Sequence, residues 1–236
     1  MEEDEGFKVD MHVHSEGSFD GKEPVELILE QASDIGLDAI VVTDHDEIDE
    51  SLEAAEKASE YGLIGIPGVE VSTMHGHLLA IGVEERPEEG MPYEDTIEKI
   101  RELGGAAVVP HPFQRSRHGV RKKNVGEPDA IEVYNSWLLT GYRNRRTKKF
   151  ARRRDIPGVA ASDAHSLATI GRAYTDIKIE GADSVEDVSA DDVVEKLRES
   201  DHDIHGRRVP MYKSIGHFVK AGVRKTKYSV KRILRR

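Results

Sequence analysis

Short apolar runs of β type alternate with amphipathic segments through most of the chain, and this alternation constrains its fold more than any other feature. The runs are FKVDMHV (7–13), LDAIVVT (37–43), LIGIPGVEVS (63–72), HLLAIGV (77–83), GAAVVP (105–110), DAIEVYN (129–135), PGVAAS (157–162) and AYTDIKI (173–179). Between them lie EPVELILEQASDIG, IDESLEAAEKASEYG, PYEDTIEKIRELGG and YRNRRTKKFARRRDI, which carry apolar residues at 3.6-residue spacing and stop at glycine or a polar turn. Strand and helix in alternation predict parallel βα units. With seven or eight such units a closed or nearly closed barrel ranks above a doubly wound sheet. The chain's 236 residues suit one domain with a sizeable core.

Histidine, aspartate and glutamate fall at the ends of these runs. The first ends in DMHVHSEGSFDG, with Asp10, His12 and His14. In a strand, residues two apart share a face, so His12 and His14 can converge on one ion. The second run ends in TDHD, with Asp44, His45 and Asp46, and the third in GVEVS with Glu70. His75 and His77 open the fourth, His111 follows the fifth in HPF, Glu132 sits in EVYN, and Asp163 and His165 form SDAH. Single residues have plainer readings: Asp46 as a helix cap, His111 as packing in a proline turn. Glu70 is harder to place that way, because a carboxylate at the end of an apolar run is costly unless paired or metal-bound. In a parallel barrel the carboxyl-terminal strand ends surround one site, and seven segments would converge there. The chain has no cysteine, so any metal must be held by His, Asp and Glu.

As a set, DMHVHSEGSFDG, TDHD, GVEVST, GHLLAIG, HPF, IEVYN, SDAH and IGRAYT resemble the PHP (polymerase and histidinol phosphatase) family of metal-dependent phosphoesterases, over about residues 7–200. The resemblance implies a distorted seven-stranded β/α barrel with the metal site at the C-terminal ends of the strands, binding two or three divalent ions. By motif, it implies that His12, His14 and Asp163 hold one ion and that Glu70 bridges it to a second on His77 and His111. Asp20, His45 and His165 would hold a third. His75, two residues before His77, is the alternative there. Only 51 residues separate His111 from Asp163, which leaves no room for the large insertion of some relatives.

Mixed imidazole and carboxylate ligation suits Mn, Zn or Fe. Clustered divalent ions lower the pKa of a shared water and neutralise the leaving oxygen, so hydrolysis of a phosphate ester by metal-activated hydroxide needs no protein nucleophile. Asp163 or His165 is the expected proton carrier to the leaving group. Arg115 and Arg117, just after His111, are the candidate phosphate-binding residues, since guanidinium pairs with phosphate in two-pronged fashion. The expected substrate is a small nucleotide or phosphorylated metabolite. A nuclease that trims oligonucleotides is one alternative, and a non-catalytic metal-binding module whose tail recruits a partner is another.

Charge divides the chain in two. Residues 206–236 hold 11 of its 34 Lys/Arg and no Asp/Glu, leaving residues 1–205 with 23 basic against 45 acidic groups. The reading is therefore a phosphoesterase domain over 1–205 and a basic C-terminal tail over 206–236. Apolar residues among the tail's cations fit an amphipathic helix for nucleic acid or anionic lipid, or one docked on its own acidic body. The amino terminus MEEDEGF is acidic, and no apolar run reaches the ~18 residues that span a bilayer, so a cytoplasmic location is expected.

Overall fold

The computed structural model describes residues 6–137, 141–199 and 202–210. Ten strands form two five-stranded mixed sheets. In the first, the order is β10 (Asp203–Gly206), β9 (Ala173–Ile177), β1 (Phe7–Val13), β2 (Ala39–Val42), β3 (Ile64–Gly65). The second runs β4 (Gly68–Thr73), β5 (Gly76–Ile81), β6 (Ala106–Val109), β7 (Ala130–Asn135), β8 (Gly158–Ala161). Five helices accompany them: α1 (Val25–Asp34), α2 (Asp49–Lys57), α3 (Tyr93–Glu102), α4 (Gly141–Arg154) and α5 (Ala190–Lys196).

The seven-stranded β/α barrel expected from the sequence is therefore corrected to two mixed sheets, with no closed barrel among the described residues. Strand direction is the physical reason. β5 turns back on β4 as a hairpin and pairs antiparallel to β6 as well, while β9 runs antiparallel to both β1 and β10. LIGIPGVEVS, read as one run, breaks at Ile66 and Pro67 into β3 and β4, which belong to different sheets. The sheets meet through two isolated bridges, Val13 with Ala164 and His45 with Glu70.

Between the sheets lies a core of Phe7, Val9, Met11, Val41, Ile66, Leu79, Ile81, Val108, Val159 and Ile177, with Val193, Val194 and Leu197 of the α5 region packed on it. A second cluster joins α3 and the α4 residue Ala151 to the outer side of β4–β7, and a third joins α1 and α2 to β1 and β2. Helix α5 opens with a capping box, Ser189 accepting from Asp192 N while Asp192 accepts from Ser189 N. Asp46 caps no helix: it stands at φ +55° and its carboxylate accepts from Ser72 N at 2.7 Å, tying the end of β2 to β4.

Two irregularities re-aim side chains. Val9 and Met11 face the core between the sheets, and strict alternation would send Val13 inward and His12 outward. The β1–β2 register slips between Asp10 and Val13, and Val13 instead packs outward with α1. His12 and His14 thereby share the inner side. A similar slip in β7–β8 between Glu132 and Tyr134 places Glu132 and Asn135 together on the site.

Among the described residues no helix is long and apolar enough to cross a membrane. Residues 206–210 of the basic segment belong to the folded body, since Gly206 ends β10 and Val209 N donates to Ser136 O at 2.8 Å. The rest of that segment, 211–236, lies outside the described residues, and with it the helix expected there.

Candidate metal centre

Nine side chains named from the sequence meet where β1, β2, β6 and β8 end. His12 is the penultimate residue of β1 and His14 follows the strand. His45 follows β2, His111 follows β6, and Asp163 and His165 follow β8, while Glu70 lies within β4. Asp20 comes from the loop after β1. His77 comes from the start of β5, because that strand runs the opposite way. Its position depends on Gly76, at φ +141°, where a Cβ would come within 2.5 Å of the His118 carbonyl oxygen. That carbonyl accepts from His77 N at 3.1 Å, so the hairpin turn and the loop after β6 hold each other. His75 is exposed in the same turn and its ring meets the Met74 carbonyl.

Glu70, 0% exposed, is the hub. One carboxylate oxygen meets His77 Nδ1 at 2.7 Å and His111 Nε2 at 3.0 Å. The other meets His12 Nε2 at 3.2 Å, His14 Nε2 at 3.3 Å and His45 Nδ1 at 3.2 Å. Burial alone would raise its pKa, but His45, His77 and His12 hold it well below the usual carboxylate range. A second carboxylate, Asp20, faces His165 Nε2 at 3.1 Å and His45 Nε2 at 3.4 Å, and those rings hold it low against its own desolvation. His14 is desolvated too, yet Asp20, Asp163 and Glu70 push it up to about 10. His77 goes the other way, down to about 4, since burial and the neighbouring rings outweigh Glu70.

Several groups of three can each bring one donor atom within 4.8 Å of the others. They include His12 with His14 and Glu70, His14 with Asp20 and His45, His12 with His111 and Asp163, and His45 with Glu70 and His77. The donor set fits cations. His12 Nε2 and His14 Nε2 stand 3.1 Å apart, so without a shared proton or ion two lone pairs oppose each other. His14 Nδ1 and His111 Nδ1 are buried with no hydrogen-bond partner among the described residues. His111 and Asp163 are held at φ +29° and +55°, left-handed backbone that only surrounding packing sustains.

A supporting layer lies behind these groups. Glu132, a strand-end carboxylate whose role the sequence does not reveal, accepts from His12 Nδ1 at 2.7 Å and from His111 N at 2.6 Å. Asn135 escaped sequence reasoning: its amide donates to Glu132 at 2.9 Å and to Asp163 at 3.0 Å. The signal was an amide closing IEVYN, which looks like an ordinary strand stop. Ser15 was also missed; its N–H and hydroxyl both donate to buried Asp44.

The two candidate phosphate-binding arginines part company. Arg117 donates to Asp163 at 2.9 Å and lies over the Trp137 ring at 5.9 Å. Burial opposes ionisation of Asp163, and Arg117 with His12 overrides it and holds the carboxyl well below its usual range. Arg115 is exposed and lines a cavity of about 550 Å³ with His77, His118 and Arg121.

Comparison with known proteins adds to this geometry. A model of the PHP domain matches residues 10–126, and a PHP-associated model matches residues 141–201. An uncharacterized protein of Methanocaldococcus jannaschii is 30% identical over 148 residues, 58% of this chain and 86% of that protein. A phosphoribosyl 1,2-cyclic phosphate 1,2-diphosphodiesterase of Eggerthella lenta is 37% identical over 82 residues, 32% of this chain and 31% of that enzyme. A two-domain protein of Bacteroides vulgatus containing a predicted PHP-like metal-dependent phosphoesterase aligns with a TM-score of 0.63 at 18% identity, over 91% of this chain and 69% of that one. At that identity the likeness is one of fold.

Proposed function

Because the chain belongs to the PHP domain family, we propose that it hydrolyses phosphate esters with two or three divalent ions, acting on a small nucleotide or phosphorylated metabolite. The observation that carries this reading is Glu70: one buried carboxylate, both of its oxygens ringed by imidazoles from β1, β2, β5 and β6.

His12, His14 and Asp163 would hold one ion, Glu70 would bridge it to a second on His77 and His111, and Asp20, His45 and His165 would hold the third. Mn, Zn or Fe suits this donor set. Bound there, the ions supply an activated water and charge neutralisation at the phosphoryl group. Glu132 keeps the proton of His12 on Nδ1 and so presents Nε2 to the centre. His165 Nδ1 is committed to the Asp163 carbonyl at 2.7 Å, which likewise turns Nε2 toward Asp20. Asp163 or His165 would carry the proton to the leaving oxygen, and each is already engaged, Asp163 with Arg117 and Asn135 and His165 with Asp20. Arg117, paired with Asp163, and Arg115 on the cavity wall would supply the cations that bind the phosphate.

The test is hydrolysis of a panel of phosphomonoesters and phosphodiesters by the full chain reconstituted with Mn, Zn or Fe. Turnover that requires metal and stops with chelator is expected. Stoichiometric metal uptake with no hydrolysis of any ester would replace this reading with the non-catalytic metal-binding module.

A further inference from the structure

Helix α4 carries eight Lys/Arg and no acidic residue in a chain of net charge −11. Five of these cations, Arg145, Lys148, Lys149, Arg152 and Arg153, line one groove and make no ion pair among the described residues. They stand three and four apart, so like charges face each other along the helix and oppose its formation. A row of this kind on an acidic body is a cost that a polyanion would remove.

At the amino-terminal end of α4 the row runs into a cavity of about 400 Å³, which shares Arg145 and Lys148 with the groove. Its other walls include Tyr134, Tyr142 and Arg208 over an apolar floor of Val133 and Ile204. Tyr142 is 69% exposed, so its ring is accessible to a ligand in the cavity. Hydrogen bonds through Asn135 connect the cavity wall to the metal centre. Asn144 on its wall exchanges hydrogen bonds of 3.3 Å with the Asn135 backbone, and the Asn135 side chain reaches Asp163.

We propose that α4 and the tyrosine cavity bind single-stranded nucleic acid, with phosphates along the cationic row and a base against Tyr142 and Tyr134. A row of cations leading to an exposed ring, Tyr142, beside half-buried Tyr134 is the combination that holds single strands without sequence preference. An acidic peptide would satisfy the cations and gain nothing from the rings, and a duplex cannot offer an unstacked base. The chain's own segment 211–236 has no Asp or Glu to pair with these cations. The inference does not depend on the phosphoesterase reading, because binding is measured with chelator present.

The experiment is fluorescence anisotropy of a dye-labelled, mixed-sequence single strand of about a dozen nucleotides, at several salt concentrations, with heparin as a polyanion lacking bases. The full chain is compared with Lys148→Gln/Lys149→Gln/Arg152→Gln and with Tyr142→Ala, all substituted at exposed positions and checked by circular dichroism. The triple variant should flatten the salt dependence by about 2 in log–log slope, at ~0.7 per phosphate contact for single strands. Tyr142→Ala should weaken oligonucleotide binding roughly tenfold at unchanged slope, and leave heparin binding alone. Three results overturn the proposal: no binding by the full chain, a triple variant with unchanged affinity and slope, or a Tyr142→Ala variant that binds the oligonucleotide normally. The last would reduce the surface to a general polyanion site.

Discussion

At the scale of single residues, the centre depends on a supporting carboxylate that holds the rings and backbone of its candidate ligands. Glu132 accepts from His12 on one oxygen and from His111 N and Asn135 on the other. Glu132→Gln must turn an amide NH₂ toward one of those donors, so two N–H groups would face each other. We expect metal affinity to fall about 10- to 100-fold, as for other outer-layer carboxylates, with the fold retained; competition against a chromophoric chelator reads it. Glu70→Gln removes the negative charge that faces five imidazoles. Its expected outcome is loss of turnover and of at least one equivalent of metal, with an unchanged circular dichroism spectrum; a near-normal rate would place the chemistry elsewhere. Asp10 behaves differently, because it takes no part in the centre. Its two oxygens accept from Ser162 N and Gly171 N, each at 2.9 Å, and an amide can satisfy only one of them. Asp10→Asn should cost about 1–3 kcal/mol in thermal unfolding.

At the scale of elements, α4 and the loop after β6 are fastened by rings and cations. Phe150 meets Phe113 edge-on at a centroid distance of 5.2 Å, and Lys122 lies over both rings at 5.5 and 5.8 Å. Phe113 is two residues past His111 and sits at φ +67°. Phe150→Ala should therefore loosen more than a helix. A loss of about 2–4 kcal/mol is expected from the deleted ring, and metal affinity should weaken as His111 gains freedom, whereas Phe150→Leu should retain most of both. Calorimetry on metal-loaded protein checks the first, and chelator competition the second. Most strands and four helices were legible in the sequence, because apolar spacing records which side of an element is buried. Helix α5 and strand β10 were not. α5 is seven residues long, and β10, DIHG, has a single apolar residue and owes its pairing to β9.

Across the whole molecule, the metal-free centre is a store of protons. Carboxylates hold His14 up to about 10, so an ion must displace its proton to bind. Metal affinity should rise with pH, and binding should release protons, seen as calorimetric heats that differ between buffers of different ionisation enthalpy. The same shift sets a stability window. His14 has a raised folded pKa, so its contribution to the metal-free protein is complete below the ordinary histidine value near 6.5 and is lost as pH climbs toward 10. The metal-loaded protein has no such proton to lose at His14. Its melting temperature should decline less over that range, and a parallel decline would argue against His14 as a ligand. The amino-acid sequence by itself determined which residue types stand at which strand ends: HxH after an aspartate, TDHD, GVEVS, HPF and SDAH are local facts about a chain without cysteine. Tertiary structure alone decided strand direction, since a buried strand reads the same whichever way it runs, and so turned an expected barrel into two mixed sheets. It also decided the convergence of side chains. Register slips in β1 and β7 bring His12, Glu132 and Asn135 inward, and the contact between His12 and Glu132 spans 120 residues of sequence. A slip of one residue leaves composition and spacing untouched while sending every later side chain to the opposite face.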